Sequence, residues 1–185
     1  MEDGDSFKMI LIVNVCREKL HYLEFVKPIT DIFEENNKPY FVKDYKKITK
    51  KDLQRADKAV ICGTSLMDDE FINNLPKFAW VKFFDKPILG ICAGMQVIGL
   101  MFGSKLRKKT EIGFFKEEFK RVFLGMERKQ EVYHLHNFYV SLPRGFEKFT
   151  KSEVPQAIKH TEKEIYGVLF HPEVRQKDLI NVFVK

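Results

Sequence analysis

Cysteine is scarce in this chain of 185 residues, and its three copies do not pair by spacing: Cys16, Cys62 and Cys92 are far apart and odd in number. No C-x-x-C pair occurs, so neither a disulfide framework nor a cysteine zinc site is expected. No run approaches the ~18 consecutive apolar residues of a membrane-spanning helix. The start, MEDGDSFK, is acidic and polar and lacks the basic and apolar regions of a secretory signal. These absences together lead us to expect a cytoplasmic protein with reduced thiols and no membrane partner. A glycine-rich phosphate loop is missing, so no nucleotide is expected as a cofactor. The aromatic-basic signature of a single-strand binder is missing too. The net charge is +6, but the lysines are spread along the chain as on solvated faces. Nucleic acid is therefore not an expected partner.

What is present suits a globular core. Hydrophobic residues make up 44 % and charged residues 31 %, and 18 residues are Phe. That composition, at this length, predicts one domain with bulky aromatic packing. Residues 1–7 read as a loose tail, and 8–185 as the domain.

The order of elements is legible from periodicity. Met9–Val15 is a continuous β-branched run, as in a strand buried on both faces. Leu20–Asn36 has helical spacing, with Pro28 starting or kinking it. Tyr40–Val42, Asp57–Cys62 and Ile88–Ile91 read as further strands. Asp68–Phe84 reads as a helix broken near Pro76, and Ala93–Phe102 as one ending at Gly103. This alternation predicts an α/β fold with an open, mostly parallel sheet flanked by helices. After Gly103 the pattern changes. Leu106–Phe170 alternates and is cut by turns, which predicts a β-rich antiparallel insertion. Glu164–Phe170 is a late strand able to rejoin the main sheet, and Lys177–Val184 is a closing helix.

The segment PILGICAGMQVIG sets Cys92 between Gly90 and Gly94, where a strand becomes a helix. A sharp strand-to-helix turn strains its central residue and needs small neighbours. It also lifts that side chain above the carboxyl ends of the strands, where open α/β sheets place their sites. The unpaired N–H groups of a helix N-terminus favour a thiolate. Cys92 is thus the candidate nucleophile, whereas Cys16 and Cys62 read as buried strand cysteines. A nucleophile needs a base and a group that orients the base. His171 ends the run YGVLF, so it too sits at a strand's carboxyl end, and Glu173 follows it after Pro172. His134 and His136 alternate as a zinc pair would, but no third ligand stands near them in sequence, so no metal is expected.

GICAGMQ followed late in the chain by YGVLFHPEV resembles the class I glutamine amidotransferases, with G-x-C-x-G-x-Q and H-P-E. That resemblance implies a flavodoxin-like sheet and a Cys92–His171–Glu173 triad that hydrolyses the side-chain amide of glutamine. It implies oxyanion donors at Ala93 and in the Gly63-Thr64 loop, and a substrate pocket lined by Gln96. The segment HNFYV implies that the backbone at Asn137 and Phe138 meets the amino-acid end of glutamine. The stretch LPRGFEKF…QAIKH…EIYGVLFHPEV is similar to the glutaminase units of GMP synthetases. Such a unit would supply ammonia to a separate ATP-dependent synthetase. The loop GTSLMDDEF is similar instead to stand-alone amidotransferase-like proteins, which implies a γ-glutamyl hydrolase or peptidase using the same triad.

Overall fold

Strand β1, Met9–Asn14, sends alternate side chains to opposite faces, as any strand must. Ile10 and Ile12 enter one apolar core, Leu11 and Val13 the other, so an unbroken apolar run is what this position requires. The computed structural model describes residues 9–185; the expected loose tail lies outside them. Around β1 stands a seven-stranded sheet in the order β2-β1-β3-β4-β9-β8-β7. Here β2 is Tyr40–Asp44, β3 Ala56–Ile61, β4 Ile88–Ile91, β7 Phe146–Lys148, β8 Ala157–His160 and β9 Ile165–Val168. The first five strands in that order are parallel, and β8 and β7 close the edge antiparallel. The expected late strand is β9, which rejoins the sheet beside β4.

Helices cover both faces. On one, α1 (Lys19–Phe25), α2 (Lys27–Glu35) and α7 (Lys177–Val184) bury Phe25, Ile29, Phe33, Ile180 and Phe183. On the other, α5 (Ala93–Met101) buries Met95 and Ile98 beside Phe78 and Val81. The β-rich segment divides. Its long strands β5 (Leu106–Glu118) and β6 (Lys129–Val140) pair as a separate antiparallel hairpin, and only its later strands extend the main sheet.

Three expectations are corrected in detail. The helix expected over Leu20–Asn36 is two helices, because Val26 ends α1 and begins α2, with Pro28 in the first turn of α2. Proline lacks the N–H that a helix interior needs and fits only such a first turn. The break expected near Pro76 within Asp68–Phe84 is present, but α4 (Glu70–Asn73) is followed not by more α-helix but by a 3-10 helix, Leu75–Lys82, with Pro76 in its first turn. A short helix was not expected at all: α3, Lys50–Arg55, which is polar and carries no apolar stripe. Its signal is the capping box of Thr49 and Asp52, whose side chain and backbone groups bond reciprocally.

Leu89 in β4 is fully buried at the centre of the sheet. Replacing it with Ala removes contacts and leaves a cavity, at a cost of about 2–5 kcal/mol. We expect Leu89→Ala to lower the urea midpoint at unchanged m-value; an unshifted midpoint contradicts this placement of the core.

Candidate active site

Three neighbouring strands end side by side, and each delivers one part of the site. Gly63 follows β3, Cys92 follows β4, and His171 follows β9. Residues distant in sequence meet because β4 pairs with both β3 and β9. The Cys92 N–H donates to the Val168 carbonyl at 2.8 Å, carrying that pairing up to the turn.

The turn is as sharp as the sequence suggests. Cys92 is the N-cap of α5, with φ +48° and ψ −103°. A positive φ at a non-glycine residue is strained by about 1–3 kcal/mol and is tolerated only where the surroundings enforce it. The flanking glycines show how. A Cβ on Gly90 would lie 2.6 Å from the Gly94 carbonyl oxygen, and one on Gly94 would collide with the Ile61 carbonyl. The start of α5 therefore lies directly on the sheet. Cys92 is buried, and its Sγ points to the Leu135 carbonyl at 3.6 Å.

His171 and Glu173 form a buried pair, with Nδ1 2.7 Å from the carboxylate. Phe25 packs against the ring at 5.4 Å, and the His171 N–H donates to the Tyr133 carbonyl. Burial on its own depresses the imidazole pKa. The charge of Glu173 and the neighbouring Cys92 sulfur outweigh it and hold His171 well above the usual value of 6.5. Nε2 lies outside hydrogen-bond geometry with any partner, although Cys92 is close enough to act on the ring. Looseness at this point is common before substrate binds.

The other two thiols are poor nucleophiles. Burial pushes Cys16 up to about 11, and burial pushes Cys62 well above its ordinary value. All three cysteines are free.

Beside Cys92 runs a cleft lined in part by Thr64, Ala93, Gln96, Asn137 and Phe138. Five of the six expected substrate-binding residues thus share it. The sixth, Gly63, lies behind: a Cβ there would be 2.6 Å from Cε1 of His171 and 3.4 Å from the Cys92 Cβ. As the first residue of α5, Ala93 has an N–H that no intrahelical carbonyl can accept. Gln96 donates from Nε2 to the Phe138 carbonyl at 2.8 Å, which ties α5 to β6 across the cleft floor. Asn137 donates to the Leu66 carbonyl at 3.2 Å.

Asp68 is a site residue that sequence reasoning missed. Its buried carboxylate accepts from the Thr64 hydroxyl at 2.7 Å and from the Arg17 N–H at 2.8 Å, so it shapes the loop after β3. It lies in the GTSLMDDEF loop, but its bond to Arg17 spans 51 positions and leaves no pattern in the sequence. The third neighbour that His134 and His136 lacked in sequence is Glu111, brought to them by the pairing of β5 with β6. Burial lowers the pKa of both imidazoles, His136 to about 4, against the opposing charge of Glu111.

The raised pKa of His171 fixes the sign of its pH dependence. The stabilisation it lends the fold is complete below the unfolded value, near 6.5, and is lost as pH rises through the folded value. In Glu173→Gln, burial is no longer offset by the carboxylate, so the His171 pKa falls. Histidine-selective NMR titration of the two proteins checks this; an unmoved His171 signal contradicts the pairing.

Comparison with known proteins gives the family and the fold. The family model for Glutamine amidotransferase class-I matches residues 4–181. The glutamine-hydrolyzing GMP synthase subunit of Methanobrevibacter smithii is 39% identical over 105 residues, 51% of this chain and 54% of that protein. The protein of the same name from Pyrococcus abyssi is 39% identical over 116 residues, 55% of this chain and 61% of that one. The chain thus spans little more than half the length of these curated relatives. Among solved structures, a Thermoplasma acidophilum protein provisionally assigned as the corresponding GMP synthase subunit superposes with a TM-score of 0.84 at 25% identity. The match covers 96% of this chain and 92% of that one. A glutamine amidotransferase of Thermotoga maritima shares the fold, with a TM-score of 0.71 at 22% identity over 90% of this chain and 76% of that one.

Proposed function

This chain belongs to the class I glutamine amidotransferase family, and from that premise we propose that it hydrolyses glutamine to glutamate and ammonia through a thioester on Cys92. The observation that carries the reading is the strained Cys92 turn standing beside the buried His171–Glu173 pair at the ends of adjacent strands.

The chemistry follows from those groups. The Cys92 thiolate attacks the side-chain amide carbon of glutamine, and the carbonyl oxygen becomes an oxyanion. The N–H of Ala93 and the loop at Gly63-Thr64 stabilise that oxyanion. His171, held protonated by Glu173, gives its proton to the departing nitrogen, and ammonia leaves. The γ-glutamyl group remains on sulfur as a thioester. Neutral His171 then takes a proton from water, and the hydroxide attacks the thioester carbon. Collapse of the second oxyanion expels the Cys92 thiolate, releases glutamate and leaves His171 protonated for the next cycle. Glu173 does not take the proton; it fixes the ring and stabilises the imidazolium. Asn137 and Phe138 offer backbone groups to the amino-acid end of the substrate.

We further propose that the ammonia passes to a separate ATP-dependent synthetase of the GMP-forming kind. The similarity to relatives that are named as subunits supports this. The seven-stranded sheet, with helices on both faces, supports reading the chain from residue 8 onward as a single amidotransferase domain.

Ammonia release from glutamine and from a γ-glutamyl dipeptide tests the assignment. Cys92→Ala is expected to lose at least about 10³-fold, His171→Asn nearly as much, and Glu173→Gln less, because orientation is only part of the catalysis. Comparable turnover by Cys92→Ala removes it as nucleophile. Cys92-dependent turnover of the dipeptide far above glutamine replaces the ammonia-supplying reading with that of a stand-alone hydrolase.

A further inference from the structure

The hairpin of β5 and β6 carries a cluster that the glutamine chemistry leaves unused. Residues 134 and 136 lie on one face of β6, as alternate positions must. Glu111 on β5 is the register partner of His136, and Gly113 is the partner of His134. With no side chain at Gly113, Glu111 reaches both rings. Its Oε2 lies 3.1 Å from Nδ1 of His134 and 3.1 Å from Nε2 of His136. One donor atom from each of the three residues fits within a 4.8 Å span.

Hydrogen bonding alone does not account for this arrangement. Glu111 itself is well served: Lys109 Nζ lies 3.1 Å from Oε1, and Gln156 donates to Oε2 at 2.8 Å. His134 bonds Glu111 through Nδ1, but His136, 2% exposed, has neither ring nitrogen in hydrogen-bond geometry, although its Nε2 stands 3.1 Å from Glu111 Oε2. Buried polar atoms are normally satisfied, and those that are not call for an absent partner. A cation seated among the three residues would take one lone pair from each and give His136 the partner it lacks.

We propose that Glu111, His134 and His136 form a binding site for a divalent transition metal, with Zn²⁺ the ion best matched to this donor set. Two imidazoles and one carboxylate are a set that zinc accepts in a tetrahedral site, with water in the fourth place. Bonds of about 2.0–2.1 Å place tetrahedral ligands about 3.3 Å apart, close to the 3.1 Å spacings present. The surroundings also suit a ligated histidine. Phe115 stacks on the His134 ring at 4.6 Å, and Glu117 Oε1 stands 3.6 Å from its outer nitrogen. A carboxylate behind a ligating histidine orients the ring and raises its basicity. The ion would bind the two strands of the hairpin to each other, and through Gln156 to the segment before β8. Asn137 follows directly, so the tie would hold the cleft wall without entering the reaction at Cys92. The inference stands on these residues and does not depend on the glutaminase reading.

The test uses the full chain, stripped with a chelator, dialysed against Zn²⁺ and assayed by elemental analysis, with zinc-edge X-ray absorption on the loaded protein. We expect one equivalent of zinc, a shell of nitrogen and oxygen with imidazole scattering, and no sulfur. Cys92→Ala retains the ion, whereas His134→Asn and Glu111→Gln each weaken binding at least a hundredfold while keeping the wild-type circular dichroism. No retained zinc, sulfur in the shell, or unchanged affinity in both hairpin variants overturns the proposal. If neither variant folds, the absorption spectrum of the wild-type protein decides it alone.

Discussion

A single backbone conformation organises the site: β4 must become α5 within one residue. That residue is Cys92, at φ +48°, and its surroundings pay for the strain. No side chain fits at Gly90 or Gly94, because α5 sits on the sheet with only backbone between. The helix core, from Ala93 to Gly99, is buried and cannot relax outward. Packing of α5 against the sheet thus holds the thiol above the strand ends, beside the cleft. The free N–H groups of the first turn come to the same place by the same geometry.

The His171–Glu173 pair depends on that frame in turn. A buried ion pair loses the hydration of both partners, and it persists only where the geometry is good. Here the 2.7 Å contact and the ring packing of Phe25 supply it. Burial and charge pull the imidazole in opposite directions, and charge wins. The outcome is a proton held next to the thiol, as the proposed departure of ammonia needs. Cys16 and Cys62 stand apart from this pair, and burial raises their thiol pKa values.

How much of this was legible in the sequence follows from the range of each interaction. The elbow was visible because its requirements are local: glycine, cysteine and glycine within a few residues. His171 and Glu173 were visible because they follow a strand-like run and lie close together. The parallel sheet followed from apolar runs alternating with helical spacing. The break before Pro76 was legible from that proline and the one at Val26 only partly from Pro28, whereas the 3-10 geometry of Leu75–Lys82 leaves no periodic signal. The bond of Asp68 to Arg17 and the meeting of Glu111 with the histidines stayed hidden because they join separate elements. Glu111 in particular meets His136 only through the register of a long hairpin, with an irregularity between Lys108 and Glu111 that no spacing rule foresees.

The glutamine reading and the hairpin cluster meet in β6, whose carbonyl at Leu135 faces Cys92 while its histidines face Glu111. The central claim is that Cys92 alone among the thiols is an activated nucleophile in a glutamine-shaped site. Labelling with a chloroketone analogue of glutamine, followed by peptide mass mapping, tests it without requiring turnover or a partner. One label is expected, on Cys92, slowed by added glutamine. Labelling of Cys16 or Cys62, or labelling of Cys92 that glutamine does not slow, would contradict it.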